Sequence, residues 1–553
     1  MKPNVYRVVV WLLLGFAMLN PTYALAGNVW ADAQVAWLRD GKVETRALQG
    51  NAAAPDVVPL GSLWKLFVYA YLADTHAQEP DYLVPTVLSE ADHYCGEPNE
   101  SVSRDTALAR SCAPYFSPAR LSITPDAWQR YWQTRTAAAW LQNIDQLQPD
   151  TRVPLASLLQ ALADISPLAQ TESRQALLAT SVVGYGRDAW MQLGTGIRYK
   201  TYSWHDVAGN NIGGAAGWLV DGTPFWLGAA GASRSALTTW GAALAATLPS
   251  PRWQNTHETR CVDVDFFARY PLQSVWQGTA LAPAGHLKGA YRLQFANGNR
   301  LNIVAQGDMR LSQNQPPVIT GRFGLNDYLA RVIDREGNAQ HPAAARALAI
   351  AARSYLLQNA DFAGGCWHIA DSSRTQRVSP NPPTDGALAA TWFTDELVLQ
   401  GVNVRYHQTL AGENQLAWQT AETQAGEGWD VEQIVSHSYP QATLTTLNAQ
   451  TECHRVIAAE TWLTTAAAQW LPKLQRETGF EPLDIPPKIC TLNNGHPYSD
   501  QQRLRIYVRG WRSLDQRITL AHEYLHLALR FHPNGADENY IERLARRLVE
   551  FGR

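Results

Sequence analysis

The residues best suited to chemistry lie near the end of the chain, in Thr519-Leu-Ala-His-Glu-Tyr-Leu-His-Leu-Ala-Leu-Arg-Phe-His532. His522 and His526 are four apart, so on a helix both imidazoles point at one spot, with Glu523 one position round. Zn²⁺ takes two imidazole nitrogens, a third protein group and a water, and a carboxylate placed like Glu523 can take that water's proton as it attacks a carbonyl. Ile518, Leu520, Ala521, Tyr524, Leu525, Ala528 and Leu529 give the helix an apolar face, and Pro533 and Gly535 are expected to end it. The plainer alternative is an amphipathic helix with two hydrogen-bonded histidines.

Two places offer a third ligand for one Zn²⁺. His532 stands at the metzincin spacing HExxHxxGxxH, but Leu529 occupies the position where that motif turns the chain with glycine. A second helix opening at Asp537 offers Glu538 and Glu542, four apart, and resembles the ExxxD of gluzincins, whose first carboxylate binds metal and whose second orients a ligand histidine. The preferred assignment is Glu538 as ligand and Glu542 as orienting group, with the reverse and His532 left open. Arg503 to Val508 alternates as a strand before the metal helix, and Ala458 to Trp470 reads as helix. Such a piece is short for a protease, so the preceding domain is expected to form the other wall of its cleft.

Ser62-Leu-Trp-Lys65 opens the apolar run Leu66 to Leu72, which puts a hydroxyl one helical turn from an amine able to accept its proton when desolvated. Ser101 to Phe116, with Ser111-Cys112-Ala113, resembles the segment carrying the SxN motif of penicillin-binding transpeptidases and serine β-lactamases. Lys200-Thr201-Tyr202 and the stretch Ala215 to Gly228 resemble their KTG strand and the hairpin partner after it. The resemblance implies an acyl-transfer centre of Ser62, Lys65, Ser111, Lys200 and Thr201. Ala113 lacks the amide of SxN, and Tyr202 is expected to crowd the place where glycine admits substrate, so degenerate, peptide-binding or structural use is favoured.

Tyr291 to Phe295 and Leu301 to Val304, joined by Asn297-Gly298-Asn299, read as a β-hairpin. The following Gly324 to Glu336, the alanine-rich run ending Arg353-Ser354-Tyr355, Asp371-Ser372-Ser373 with Gln376, and Tyr406-His407-Gln408-Thr409 with Gly412 resemble the stage II sporulation protein D family of lytic transglycosylases. In that family a glutamate before the alanine-rich helix protonates the glycosidic oxygen, and Glu336 occupies its place. A glycan cleft around Glu336 would draw on Arg353, Asp371, Gln376 and His407, with Trp367 and Trp392 stacking on sugar rings.

Residues 1–26 read as a cleaved signal: Lys2 and Arg7 precede the apolar run Val8 to Leu19, and Ala24-Leu25-Ala26 offers a cleavage site. A periplasmic or secreted protein is expected, with no membrane span after cleavage. Without Lys2 and Arg7, 44 basic residues face 49 acidic ones, which excludes a basic surface for nucleic acid. Pairing each of the six cysteines with its neighbour gives Cys95–Cys112, Cys261–Cys366 and Cys453–Cys490.

The chain is thus expected to be a multidomain α+β protein: a transpeptidase/β-lactamase-like domain at 28–250, a sporulation-protein-D-like domain at 255–440 and a zincin-like domain at 441–553. The combination resembles the YfaQ-like secreted proteins of Proteobacteria, which implies association with bacterial α2-macroglobulin-like proteins. The function expected is an envelope zinc metallopeptidase joined to modules that bind or remodel peptidoglycan. The alternatives are a peptidoglycan enzyme acting through Glu336 or Ser62, and a non-catalytic scaffold.

Overall fold

A computed structural model describes residues 33–551 apart from 52, 97, 183–186, 206–208, 254–255, 257, 259, 313, 448–454, 484, 492–496, 501–503 and 536. The signal stretch at 1–26 therefore lies outside the described residues, and no described helix is long and apolar enough to cross a membrane. The architecture is multidomain α+β, as the sequence implied.

The first unit is built on a five-stranded antiparallel sheet, in the order Lys42–Ala47, Gln34–Arg39, Pro224–Ala230, Asn211–Trp218, Arg198–His205. Alternation along the strands feeds two cores. Ala36, Ala216, Trp218 and Trp226 pack with the buried helix Trp64–Thr75 on one side. Val35, Trp37, Ala215, Phe225 and Leu227 pack with the helix Ser233–Thr247 on the other. The helix Trp64–Thr75 is buried over ten of its twelve residues, so its apolar run makes it the centre of the unit rather than a surface element.

The middle unit carries an eight-stranded sheet in the order 280–281, 272–277, 285–295, 300–312, 318–324, 261–266, 366–370, 361–363. Its hairpin turns at Asn297-Gly298-Asn299 as the sequence suggested, with Gln294 opposite Arg300 and Gly298 at a φ of 84°. Behind the sheet, the alanines of the helix Pro342–Asn359 let neighbouring helices approach closely, and twelve of its residues are buried. The first and middle units meet through polar groups that leave water together. Arg198 pairs with Asp395 at 2.7 Å and Thr195 Oγ1 donates to the Asp395 carbonyl at 2.7 Å; within the middle unit, Arg260 pairs with Glu396.

The last unit is small: the helix Ile457–Leu474, a three-stranded sheet in the order Lys488–Thr491, Arg505–Val508, Tyr498–Asp500, and the helices Leu514–Ala528 and Glu538–Phe551 around one core. It touches the middle unit where Gln400 Nε2 donates to the Tyr498 hydroxyl at 3.2 Å, beside one edge strand. Two of the expected disulfides, Cys95–Cys112 and Cys261–Cys366, are present. Cys490 is also disulfide-bonded, whereas Cys453 lies outside the described residues.

Candidate functional site

The helix Leu514–Ala528 opens with a reciprocal capping box between Ser513 and Gln516, which fixes the register that puts His522 and His526 on one face. It stops at Ala528, with Leu529 as its cap, earlier than Pro533 and Gly535 suggested. Two short turns follow, His532 N–H to the Leu529 carbonyl and Gly535 N–H to the His532 carbonyl, and they bring the chain back under the histidines. Gly535 is required there, since a Cβ would collide with the Leu529 carbonyl oxygen. The helix Glu538–Phe551 then lies across the first one.

His522 Nε2 and His526 Nε2 are 3.1 Å apart. Glu538 Oε2 lies 2.9 Å from His522 Nε2 and 3.5 Å from His526 Nε2. Behind them, His522 Nδ1 is 3.1 Å from Glu542 Oε2, and His526 Nδ1 is 3.0 Å from the Gly535 carbonyl. A carboxylate and a carbonyl only accept, so each Nδ1 is the donor in its contact, and an imidazole held neutral in that tautomer presents its Nε2 lone pair to the centre. Two lone pairs and a carboxylate oxygen thus face one another, an arrangement that a cation satisfies. Donors bound tetrahedrally at about 2.0–2.1 Å stand about 3.3 Å from each other, the spacing seen here.

His522, His526 and Glu538 can together hold a metal. Glu538 stands with the two Nε2 atoms and Glu542 behind His522, with Glu542 itself paired with Arg546 at 2.7 Å. His532 is turned away. Its Nδ1 accepts from Asn534 N–H at 2.9 Å, its Nε2 is 3.4 Å from the Tyr540 hydroxyl, and its ring stacks on Tyr540. Glu523 is buried, and burial pushes its carboxyl up while the two histidines pull it down. Ser499, on the edge strand, hydrogen-bonds to Glu523. The motif pattern gave no signal for Ser499 or for the Gly535 carbonyl, because neither sits at a fixed spacing from the histidines.

In the first unit, Lys65 Nζ donates to Ser62 Oγ at 2.9 Å and to Ser111 Oγ at 3.2 Å. Burial brings the Lys65 amine down to about 8. Lys200 is wholly buried and held well below its ordinary value by burial and then by Lys65; its Nζ donates to the Thr201 carbonyl at 3.1 Å. Thr201 therefore enters through its backbone. Tyr202 corrects an expectation: its ring is buried beneath the turn that carries Ser62, with the hydroxyl donating to the Leu227 carbonyl at 3.1 Å. Gly61, at a φ of 48°, leaves room for that ring, since a Cβ there would stand 3.0 Å from Tyr202 Cβ. The tyrosine fills core and does not crowd the mouth.

The middle unit departs most from expectation. Glu336 ends the helix Leu325–Glu336, and its two oxygens accept from Arg377, one from the backbone N–H at 2.7 Å and one from the guanidinium at 3.3 Å. Arg353 is fully buried and donates to Asn326 and to the carbonyls of Thr391, Thr394 and Leu397. Gln376 is equally buried, bonded to Tyr328, Ala352 and Tyr406. Asp371 accepts from the Phe267 and Val378 N–H groups, and His407 Nδ1 accepts from those of Thr409 and Leu410. Trp367 and Trp392 are buried as core residues. Arg353, Trp367 and Trp392 are thus core residues, while Glu336, Gln376 and Asp371 come together along the consecutive residues Gln376, Arg377 and Val378.

Residues 88–211 and 414–534 match a family described as a predicted secreted protein, DUF2300, and residues 318–391 match the stage II sporulation protein family. The first match takes in Ser111, Lys200 and Thr201 and then, in its second part, His522, Glu523 and His526; Glu336 lies in the sporulation match. Among solved structures, the transpeptidase domain of the FtsI4 D,D-transpeptidase from Legionella pneumophila is similar at 14% identity and a TM-score of 0.27, covering 40% of this chain and 90% of that one. The C-terminal domain of the Bacillus licheniformis BlaR penicillin-receptor is similar at 12% identity and a TM-score of 0.28, covering 39% and 88%. Over 506 residues the chain is 41% identical to the uncharacterized protein YfaQ of Escherichia coli strain K12, covering 90% of this chain and 91% of that protein. With identity at that level along nearly the whole length of both proteins, the chain belongs to the YfaQ family.

Proposed function

We propose that this protein is a zinc-dependent peptidase of the bacterial envelope, with the cutting centre in the last unit and the first two units serving to engage cell-wall material. The observation that carries this reading is the convergence of His522 Nε2, His526 Nε2 and Glu538 Oε2 with both Nδ1 atoms already committed behind them. His522, His526 and Glu538 would hold the zinc, and Glu542 and the Gly535 carbonyl keep the two rings in the ligating tautomer. Bound there, zinc supplies Lewis acidity, which activates water and polarises a carbonyl. Glu523 takes the water's proton and returns it to the departing amine. Tyr498–Asp500 lies beside Glu523 and offers an extended peptide a strand to run along.

The test is metal analysis of the purified full chain: about one zinc per chain, lost in His522→Ala. Retention of one equivalent at unchanged affinity in that variant would refute the assignment. The secreted family and the sporulation-protein match support an exported location and cell-wall partners. A bacterial α2-macroglobulin-like protein, the further partner that the family resemblance implies, is tested by co-purification from envelope extracts.

A second reading is serine acyl transfer at Ser62, favoured by the hydrogen-bonded chain Ser62, Lys65, Ser111 and by the lowered Lys65 amine. Penicillins are poor probes of it because Ala113 supplies no amide for their side chain. Labelling of wild type by a fluorescent penicillin at the rate of an active transpeptidase, absent in Ser62→Ala, would contradict that expectation.

A further inference from the structure

We propose that the Cys95–Cys112 disulfide is a positioning device for the Ser62 centre, holding Ser111 in the turn from which its hydroxyl engages the Lys65 amine. The proposal rests on the acyl-transfer reading of Ser62. Ser111 closes the seven-residue helix Arg104–Arg110 in the left-handed region, at φ 69° and ψ 31°, a conformation that serine seldom adopts. The next residue, Cys112, is wholly buried and bonded to Cys95, so the chain cannot leave that turn without moving the bridge.

The far end of the bridge is fixed in its turn. Cys95 N–H donates to the Asp92 carbonyl at 2.8 Å, and the Asp92 carboxylate accepts from Tyr82 and Ser89. Arg110 spans the two ends, donating to the Cys95 carbonyl at 3.0 Å and to Glu100 at 2.7 Å. The described residues of 82–96 and 98–112 therefore form a buttress with Ser111 at its tip.

An amine acts as a base only when its lone pair faces the proton it takes, and Lys65 hangs from a flexible stem. Its contacts with Ser62 Oγ at 2.9 Å and Ser111 Oγ at 3.2 Å fix that rotation. The charged group bearing on it from the opposing strand is Lys200, whose own Nζ is turned to the Thr201 carbonyl. If Ser111 were released, the amine would keep one partner and lose its aim.

The experiment follows phosphonylation of the full-length protein by a small alkyl fluorophosphonate, read by intact mass and compared with Ser62→Ala at each pH. In this step the Ser62 Oγ–P bond forms as P–F breaks; fluoride leaves, and the hydroxyl proton passes to Lys65 and then to solvent. In Cys95→Ala/Cys112→Ala the rate should fall about tenfold or more and its rise with pH should move downward, because the ammonium loses the acceptor Ser111 Oγ, with zinc content unchanged. Ser111→Ala should do the same, and combining it with the cysteine pair should add little, because all three changes break one support.

A folded disulfide-free variant with the wild-type rate and pH profile would overturn the proposal alone. Absence of Ser62-dependent labelling in wild type would remove the acyl-transfer reading and the proposal with it. If the cysteine variant does not fold, Arg110→Gln, which removes the tie from Arg110 to the Cys95 carbonyl and Glu100, decides: the expected result is a slower rate with the same downward move, and no change overturns the proposal.

Discussion

The histidine pair and Glu336 both looked like catalytic centres in the sequence, and the structure treats their polar atoms in opposite ways. At the histidines, both Nε2 atoms and the Glu538 carboxylate face one another while both Nδ1 atoms are engaged by Glu542 and the Gly535 carbonyl. Around Glu336, the chain supplies a donor for each acceptor: Arg377 to Glu336, Val378 and Phe267 to Asp371, Tyr328 to Gln376. A polar cluster that satisfies itself stabilises a fold, whereas one that leaves like partners facing each other needs something from outside. The proposed zinc site rests on that difference, which residue type alone does not reveal.

The largest effect that tests the comparison is expected from Glu523→Gln. Any peptide hydrolysis by the full chain, followed by mass spectrometry of a peptide library or of purified stem peptides, should drop by about 10²–10⁴-fold with zinc retained. An unchanged rate would move the base elsewhere. Glu542→Ala should weaken zinc binding by about 10–100-fold, measured by competition with a chelating dye, because His522 would lose the acceptor that sets its tautomer. Equal affinity would make Glu542 a surface residue.

On the other side of the comparison, Arg353→Met should lower stability by about 3–5 kcal/mol in denaturant melts, since it strands four buried acceptors. A stable variant that merely lost peptidoglycan binding would reverse the assignment and make Arg353 a ligand group. Glu336→Gln should leave retention of the full chain on purified peptidoglycan unchanged. Anhydro-sugar ends produced by wild type and not by this variant would restore Glu336 as a catalytic acid.

How much could be read in the sequence depended on how far apart the partners lie in it. His522, Glu523 and His526 sit within two helical turns, and Glu538 and Glu542 follow after two short turns, so local periodicity places the members of each group relative to one another. Ser62 and Lys65 are legible for the same reason. Tyr202 was misread because strand parity says which face a ring takes and not what lies beneath it; Gly61, far away in sequence, opens the space it fills. Arg353, Gln376, Trp367 and Trp392 were misread because burial is decided by packing of distant segments, and a buried arginine bonded to carbonyls has no pattern of its own. The two described disulfide pairs followed from neighbour order, while Gly535 and Ser499 act through a carbonyl and a single hydroxyl that no spacing announces.

The smallest effect expected is also the one that closes the question of the third ligand. His532 stands at a spacing that would make it a metal ligand if a glycine at 529 turned the chain, yet Leu529 caps the helix at φ −110° and the chain turns at Gly535 instead. That delay carries His532 past the donor triangle and onto the face of Tyr540, whose hydroxyl donates to Glu477 at 2.7 Å. Its Nδ1 is occupied by the Asn534 N–H, leaving Nε2 beside the Tyr540 hydroxyl. His532→Ala should therefore keep one zinc per chain at wild-type affinity, with at most a small loss of thermal stability from the missing stack. If zinc were lost in that variant while Glu538→Gln kept it, the donor triangle would be wrong, and the difference between the two regions would no longer rest on Glu538.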